Sequence, residues 1–211
     1  MGPARRLDRR GAGDTSHRIA PDPKGPAMRR RFLALTLLAG AAAVLAPAGR
    51  PRAGTPPPEG ITFRGITGGT LNLSDWRGRP VLVVNTASRC GFTRQLDEMQ
   101  ALYERFRDRG LVVLAVPSDD FNQELSSDAA VAEFCEVNFG TTFPMAGITP
   151  LRGRDAHPFY AWLAAEHGFV PRWNFNKVLI GPDGTLRGTW GSMVRPTARP
   201  ILQAVEAALA G

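Results

Sequence analysis

The spacing of apolar residues changes period along the chain, and each change predicts an element. Ile61-Thr62-Phe63-Arg64-Gly65-Ile66 alternates, Gly68-Gly69 interrupts, and Thr70-Leu71-Asn72-Leu73 alternates again, which predicts a β-hairpin around a glycine turn. Leu73 to Pro80 reads as a short turn. Val81-Leu82-Val83-Val84-Asn85-Thr86 is a continuous β-branched run, as expected of a strand covered on both faces. From Gln95 to Arg109, Leu96, Met99, Leu102, Tyr103 and Phe106 recur at helical spacing until Gly110 stops them. Leu111 to Val116 predicts a second buried strand, ended by Pro117. Ser127-Asp128 caps a helix over Ala129 to Asn138, with Gly140 behind it. Pro158 to Glu166 reads as a short helix closed by Gly168. Lys177-Val178-Leu179-Ile180, the turn Gly181-Pro182-Asp183-Gly184 and Thr185 to Trp190 predict a second hairpin, and Thr197 to Leu209 a closing helix.

Two βα units followed by a hairpin and a last helix is the element order of a thioredoxin-like α/β fold, a central mixed sheet flanked by helices, here with an N-terminal β-hairpin. No internal repeat and no second change of composition follow Gly60, so residues 61–211 read as one domain.

The segment before Gly60 has a different character. Arg29-Arg30-Arg31 precede an apolar run of fifteen residues from Phe32 to Ala46, then Ala46-Pro47-Ala48. A basic start, an apolar middle and a small-x-small site make an export signal over residues 28–48. Fifteen residues fall short of the ~20 that span a bilayer as a helix, so an uncleaved anchor is the weaker alternative. Arg29-Arg30 before x-Phe-Leu resembles the twin-arginine export signal, which is favoured here over general secretion. Residues 1–27 lack periodicity and read as an over-extended start with Met28 as initiator, or else as a long basic n-region. The proline-rich stretch 49–60 reads as a spacer. The expected location is periplasmic.

Charge then means something other than it first suggests. The 211 residues carry a net charge of +7, with 43% hydrophobic and 21% charged residues. Residues 1–60 hold eleven basic against four acidic side chains and so carry the whole excess, while residues 61–211 hold fifteen of each. A nucleic-acid partner thereby loses its support, and no stable membrane insertion is expected once the signal is removed.

Two cysteines, Cys90 and Cys135, lie 45 positions apart. In an exported chain they permit a structural disulfide, and they also suffice for a dithiol redox enzyme. Cys90 falls between the first buried strand and the following helix, where the helix dipole and free backbone N–H groups stabilise a thiolate; Arg89 and Arg94 add positive charge. A small core residue is the competing reading for each cysteine.

The surrounding residues carry a resemblance. Asn85-Thr86-Ala87-Ser88-Arg89-Cys90-Gly91-Phe92-Thr93, then Val116-Pro117-Ser118-Asp119-Asp120-Phe121 with Gln123-Glu124, then Phe134-Cys135-Glu136-Val137-Asn138-Phe139-Gly140-Thr141-Thr142-Phe143-Pro144, then Ala156-His157-Pro158-Phe159-Tyr160 and Trp173-Asn174-Phe175-Asn176-Lys177 resemble, in order, motifs of the glutathione peroxidase family. The resemblance implies a thiol peroxidase that reduces hydrogen peroxide and organic hydroperoxides, with Cys90 as nucleophile, Trp173 as an indole N–H donor and Asn174 as an amide donor. The family's glutamine position falls on Asp120, in a loop one residue shorter, and Gln123 is the alternative occupant. Cys135 stands where two-cysteine members carry the resolving cysteine, which implies a Cys90–Cys135 disulfide during turnover; Ser118 replaces the third cysteine of some members. No cofactor and no metal are implied. The short segment 167–172 favours a monomer. The basic cluster that holds glutathione in vertebrate members has no match, so a thioredoxin-like dithiol is the expected reductant ahead of glutathione.

Other functions remain open at this point. An exported disulfide oxidoreductase of the same fold needs a C-x-x-C pair, which Cys90-Gly91-Phe92-Thr93 lacks. A redox sensor that passes oxidation to a partner protein would use the same two cysteines.

Overall fold

The structure is a computed structural model that describes residues 56–211. The expected export signal at 28–48, the segment 1–27 and most of the spacer 49–60 lie outside the described residues. Twelve short elements follow Gly60. β1 (Thr62–Arg64) and β2 (Thr70–Asn72) form the expected antiparallel hairpin, and a single 3-10 turn over Leu73–Trp76 leads on to β3 (Val81–Thr86). α1 (Gln95–Phe106) ends in a 3-10 turn at Arg107–Arg109, and Gly110 (φ 108°) supplies the left-handed residue that lets the chain reverse into β4 (Val112–Pro117). α2 (Asp128–Phe139), α3 (Pro158–His167), β5 (Lys177–Ile180), β6 (Leu186–Trp190) and α4 (Arg199–Ala210) complete the order.

The sheet runs β4-β3-β5-β6. β3 and β4 are parallel, in the register Val81 with Val112 to Thr86 with Pro117, as a crossover through α1 requires. β5 lies antiparallel to β3, Val81 opposite Ile180 and Val84 opposite Lys177, and β6 returns antiparallel to β5 with an irregularity at Leu179/Ile180. The period-2 alternation of strand side chains divides the core into two layers. Leu82, Val84, Val113, Ala115 and Leu179 pack on one face against Leu96, Met99, Leu102 and Phe106 of α1, Ile201 and Val205 of α4, and Val131 and Cys135 of α2. Val81, Val83, Val112, Leu114, Val178 and Ile180 pack on the other face against Phe159 and Leu163 of α3. At ~25 cal/mol per Å² of apolar surface, these fully covered strands dominate the stability of the domain.

One feature of the sheet lies outside the sequence pattern. Met145 bridges in parallel to Ala115, and Ala146 bridges to Gly65, so the segment between α2 and α3 covers the outer edge of β4 and ties the hairpin to it. Among the described residues no helix is long and apolar enough to cross a membrane.

Candidate active site

All the parallel-strand connections place the loop after β3 and the loop after β4 at one end of the sheet, and the chain entering β5 arrives at the same end. Cys90 lies in the first of these loops, buried to 8% exposure and free. A succession of tight turns, Thr93 N donating to Cys90 O (3.0 Å), Gln95 N to Phe92 O (2.8 Å) and Leu96 N to Thr93 O (2.9 Å), carries the chain from the cysteine into α1. Cys90 therefore precedes the helix by one turn instead of occupying its first residue. The backbone N–H of Phe92 donates to Cys90 Sγ (3.5 Å), and the Thr93 hydroxyl accepts from Cys90 N (3.1 Å) while lying 2.9 Å from Ala87 O. The sulfur thus faces a backbone donor at the open end of the sheet.

The chain entering β5 is clamped by Asn85, a buried residue near the end of β3. Asn85 Nδ2 donates to Trp173 O (3.0 Å), Asn85 Oδ1 accepts from Asn176 N (3.0 Å), and the backbones pair through Phe175 N to Asn85 O (2.6 Å). Phe175 is fully buried at φ 60°, a left-handed conformation unusual for an aromatic residue, held by this clamp. The kink turns Asn174 inward, where it is fully buried, and leaves Trp173 39% exposed with its ring packed on Phe121 at 5.4 Å. Ser192 holds the other side: its hydroxyl donates to Asn174 O (2.5 Å), and its carbonyl accepts from Gln95 Nε2 (2.7 Å) at the start of α1. Lys177, buried, donates to Gln95 Oε1 and to Ser192 O. Burial pulls its ammonium down to about 8, against the opposing charge of Glu98.

The loop after β4 supplies the remaining groups. Gln123 O accepts from Arg89 N (2.9 Å), which joins this loop to that of Cys90, and Gln123 Oε1 accepts from Asn174 Nδ2 (3.0 Å). Asp120 is directed elsewhere. Its carboxylate accepts from Leu151 N (2.8 Å) and lies 3.9 Å from Arg152 Nε, while the Arg152 guanidinium rests over Phe121. The Arg89 side chain is exposed and forms no ion pair among the described residues; its backbone makes the contact that matters. The structure thus brings Cys90, Gln123 and Asn174 onto interlocked loops.

A family model described as glutathione peroxidase matches residues 60–164. A glutathione peroxidase of Lactococcus lactis subsp. cremoris is 42% identical over 125 residues, 56% of this chain and 79% of that one. A glutathione peroxidase homolog, BsaA, of Bacillus subtilis is 39% identical over 143 residues, 64% of this chain and 89% of that one. The chain belongs to the glutathione peroxidase family. It is accordingly a peroxidase of the oxidoreductase class with a thiol at its centre, and the fold agrees: the apo structure of Trgpx superposes with a TM-score of 0.56 at 32% identity, covering 71% of this chain and 93% of that one. A solved thiol:disulfide interchange protein DsbE from Chlorobium tepidum reaches a TM-score of 0.55 at 22% identity over 74% of this chain and 97% of that one, a likeness of fold alone.

Within this peroxidase scaffold Cys135 sits on α2, 3% exposed, in the same apolar cluster as Cys90, and both thiols are free. Burial first, and then the charge of Glu124, push the Cys135 thiol up to about 12. Glu124 is itself buried: its Oε1 accepts from Ser88 N (2.9 Å) and Leu125 N (2.8 Å), and burial raises its carboxyl above the usual range. Among the described residues no group of three or more His, Cys, Asp or Glu is disposed to hold a metal.

Five residues of this assembly carry no role in the motif reading. Asn85 and Glu124 stand inside the quoted motifs, so a polar residue in an otherwise apolar run and a carboxylate beside Gln123 were their signals. Lys177 is a cation heading a strand that is buried throughout. Gln95 and Ser192 give no signal in the sequence, because they meet each other across 97 positions of chain.

Proposed function

We propose that the protein, exported across the cytoplasmic membrane and acting as a monomer, reduces hydrogen peroxide and small organic hydroperoxides in a two-cysteine cycle. The Cys90 thiolate attacks a peroxide oxygen; the S–O bond forms, the O–O bond breaks, and the departing hydroxide or alkoxide takes a proton. Cys135 then attacks the sulfur of the Cys90 sulfenic acid, forming a disulfide and releasing water. A thioredoxin-like dithiol regenerates both thiols by exchange, with glutathione as the poorer donor. In this reading Gln123 takes the amide role beside Asn174, Trp173 supplies the indole, and Asp120 braces the loop from outside through Leu151 and Arg152.

The observation that carries the reading is Cys90 Sγ facing the Phe92 N–H, on a loop joined through Arg89 N to Gln123 and through Gln123 to Asn174. The test is a coupled peroxide-consumption assay with thioredoxin or glutathione as reductant, on wild type, Cys90→Ser and Cys135→Ser. Cys90→Ser is expected to be inactive, and retained turnover there overturns the mechanism. Cys135→Ser is expected to lose thioredoxin-linked turnover while still consuming one equivalent of peroxide. Full thioredoxin-linked activity in Cys135→Ser removes the two-cysteine cycle alone. Export is checked by sequencing the N-terminus of the protein recovered outside the cytoplasmic membrane, expected to start after Ala48.

A further inference from the structure

The two-cysteine cycle leaves one chemical difficulty. A buried thiol is a poor nucleophile until its proton has somewhere to go, and Cys135 lies on the inner face of α2 in an apolar cluster with Cys90. A polar group that could take the proton is built into the same region. Glu124 is 6% exposed and immediately precedes Leu125, which packs on that cluster. Its Oε1 is fully engaged by two backbone N–H groups, one of them from Ser88, two residues before the nucleophile. Its Oε2 is buried with no hydrogen-bond partner of good geometry among the described residues, and the Ser88 hydroxyl beside the carboxyl, which works against burial there, has no other partner. A carboxylate oxygen left buried without a well-aligned donor is costly and calls for a role that uses it.

We propose that Glu124 is the proton acceptor of the resolution step, receiving the proton of Cys135 as that sulfur attacks Cys90 and returning it to the hydroxide that leaves. This rests on the two-cysteine reading above. The balance is closed: the Cys135 S–H bond and the Cys90 S–O bond break, the S–S bond forms, and the proton leaves with the hydroxide as water, so that Glu124 ends as it began and no further oxidant or reductant enters. The first half of turnover does not need this carboxylate, because peroxide attack occurs before Cys135 moves. The ionisable groups coupled to Glu124 are Cys135 of α2, whose thiol the Glu124 charge pushes up after burial, and Asp119, whose Oδ1 accepts from Glu124 N (3.1 Å) and whose charge adds to burial in raising the Glu124 carboxyl.

The test separates the two half-reactions. Reduced full-length protein is mixed with one equivalent of hydrogen peroxide, and samples quenched over time are assayed by mass spectrometry for sulfenic acid trapped at Cys90 and for the Cys90–Cys135 disulfide. Glu124→Gln keeps an oxygen for Ser88 N and Leu125 N. It is expected to form sulfenic acid within about twofold of wild type and the disulfide about a hundredfold more slowly, the low end of what a positioned base contributes. Because burial raises the Glu124 carboxyl, the wild-type disulfide rate rises with pH through and above the ordinary carboxylate range as Glu124 ionises, and Glu124→Gln loses that rise. Restoration of part of the pH dependence by Glu124→Asp supports a proton role over a packing one. A disulfide rate and pH profile in Glu124→Gln equal to wild type overturn the proposal while leaving the two-cysteine cycle standing. Absence of the disulfide in wild type overturns that cycle and the proposal with it. Should Glu124→Gln fail to fold, the wild-type profile decides: a disulfide rate flat across that pH range overturns the proposal.

Discussion

Asn85 offers the sharpest test of how the site is held, because one buried side chain fixes both ends of the kink that carries Trp173 and Asn174. Asn85→Ala removes the bonds from Nδ2 to Trp173 O and from Asn176 N to Oδ1. Trp173 O keeps the Asn176 side chain as donor, whereas Asn176 N is left buried and unpaired. Two neutral hydrogen bonds at about 1 kcal/mol each and one orphaned N–H at about 1–3 give an expected loss of about 3–5 kcal/mol. At 2–4 °C per kcal/mol for a domain of this size, that is a fall of roughly 6–20 °C in Tm. The strained φ of Phe175 depends on the same clamp, so relaxation there would carry Asn174 away from Gln123, and kcat/KM for peroxide should fall by at least about tenfold, equivalent to 1.4 kcal/mol. Urea unfolding at fixed pH gives the first quantity, and peroxide consumption well below the melting range gives the second. Asn85→Asp discriminates further, since it keeps the acceptor for Asn176 N but sets an oxygen against Trp173 O. It should be about as damaging as Ala. A stability loss below about 1 kcal/mol, or a full loss of stability with kcat/KM unchanged, would refute the assignment of Asn85 as the clamp.

The remaining expectations concern pH, the resolving helix and the shifted amide. Lys177 has its folded value depressed to about 8 from an ordinary 10.5, so above pH 8 the unfolded chain binds the extra proton and stability rises with pH between those values; urea midpoints across that range should show the slope, and Lys177→Met should abolish it. His157 is depressed below 6.5 by burial while its Nε2 meets Thr62 O and its ring stacks on Phe63; its contribution is present above 6.5 and lost as pH falls below it, and His157→Phe should flatten that part of a thermal-melt series. Arg64 pairs with Asp128 at the first residue of α2, so Arg64→Ala should leave global stability nearly unchanged yet speed disulfide formation several-fold by loosening the helix that carries Cys135; an unchanged rate in the quench assay counts against helix motion as the slow step. Asn122 stands at φ 55°, so Asn122→Gly should be tolerated, whereas Asn122→Val should cost about 1–2 kcal/mol and depress peroxide turnover by displacing Gln123.

Much of the fold was legible because its elements are strongly patterned. β3 and β4 are runs rich in β-branched apolar residues, and Gly110, Gly140 and Gly168 take up the left-handed conformations expected behind their helices, so strand and helix limits fall within about three residues of those read from the sequence. The strand-like pairing of Met145 and Ala146 was not legible. Their sequence does not alternate, and their extended conformation comes from partners at Ala115 and Gly65 that only the folded chain supplies. The network around the site follows the same logic. Cys90 and Asn174 announce themselves by local motif, while Ser192 and Gln95 meet across 97 positions of chain through one backbone carbonyl, a contact indifferent to side-chain pattern at Ser192.

The amide at the site shows how a local backbone conformation can override an alignment. Counting residues from Val116 puts the family's glutamine on Asp120, yet Asn122 N donates to Asp119 O (2.9 Å) and Asn122 takes a left-handed φ, closing a tight turn that a residue count treats as extended chain. Within that turn Asp120 projects toward Leu151 and Arg152, and Gln123, which follows the turn, projects toward Asn174. On the proposed mechanism the shorter loop thus gives the amide role to Gln123 and spares the thiolate the like charge of a carboxylate. Arg89 N holds Gln123 there by donating to its backbone carbonyl, a bond that depends on neither side chain. Since Glu124 follows directly, the same turn that delivers the amide to Asn174 also delivers the carboxylate to Ser88, so the two functions proposed for this loop are coupled through a single conformation at Asn122.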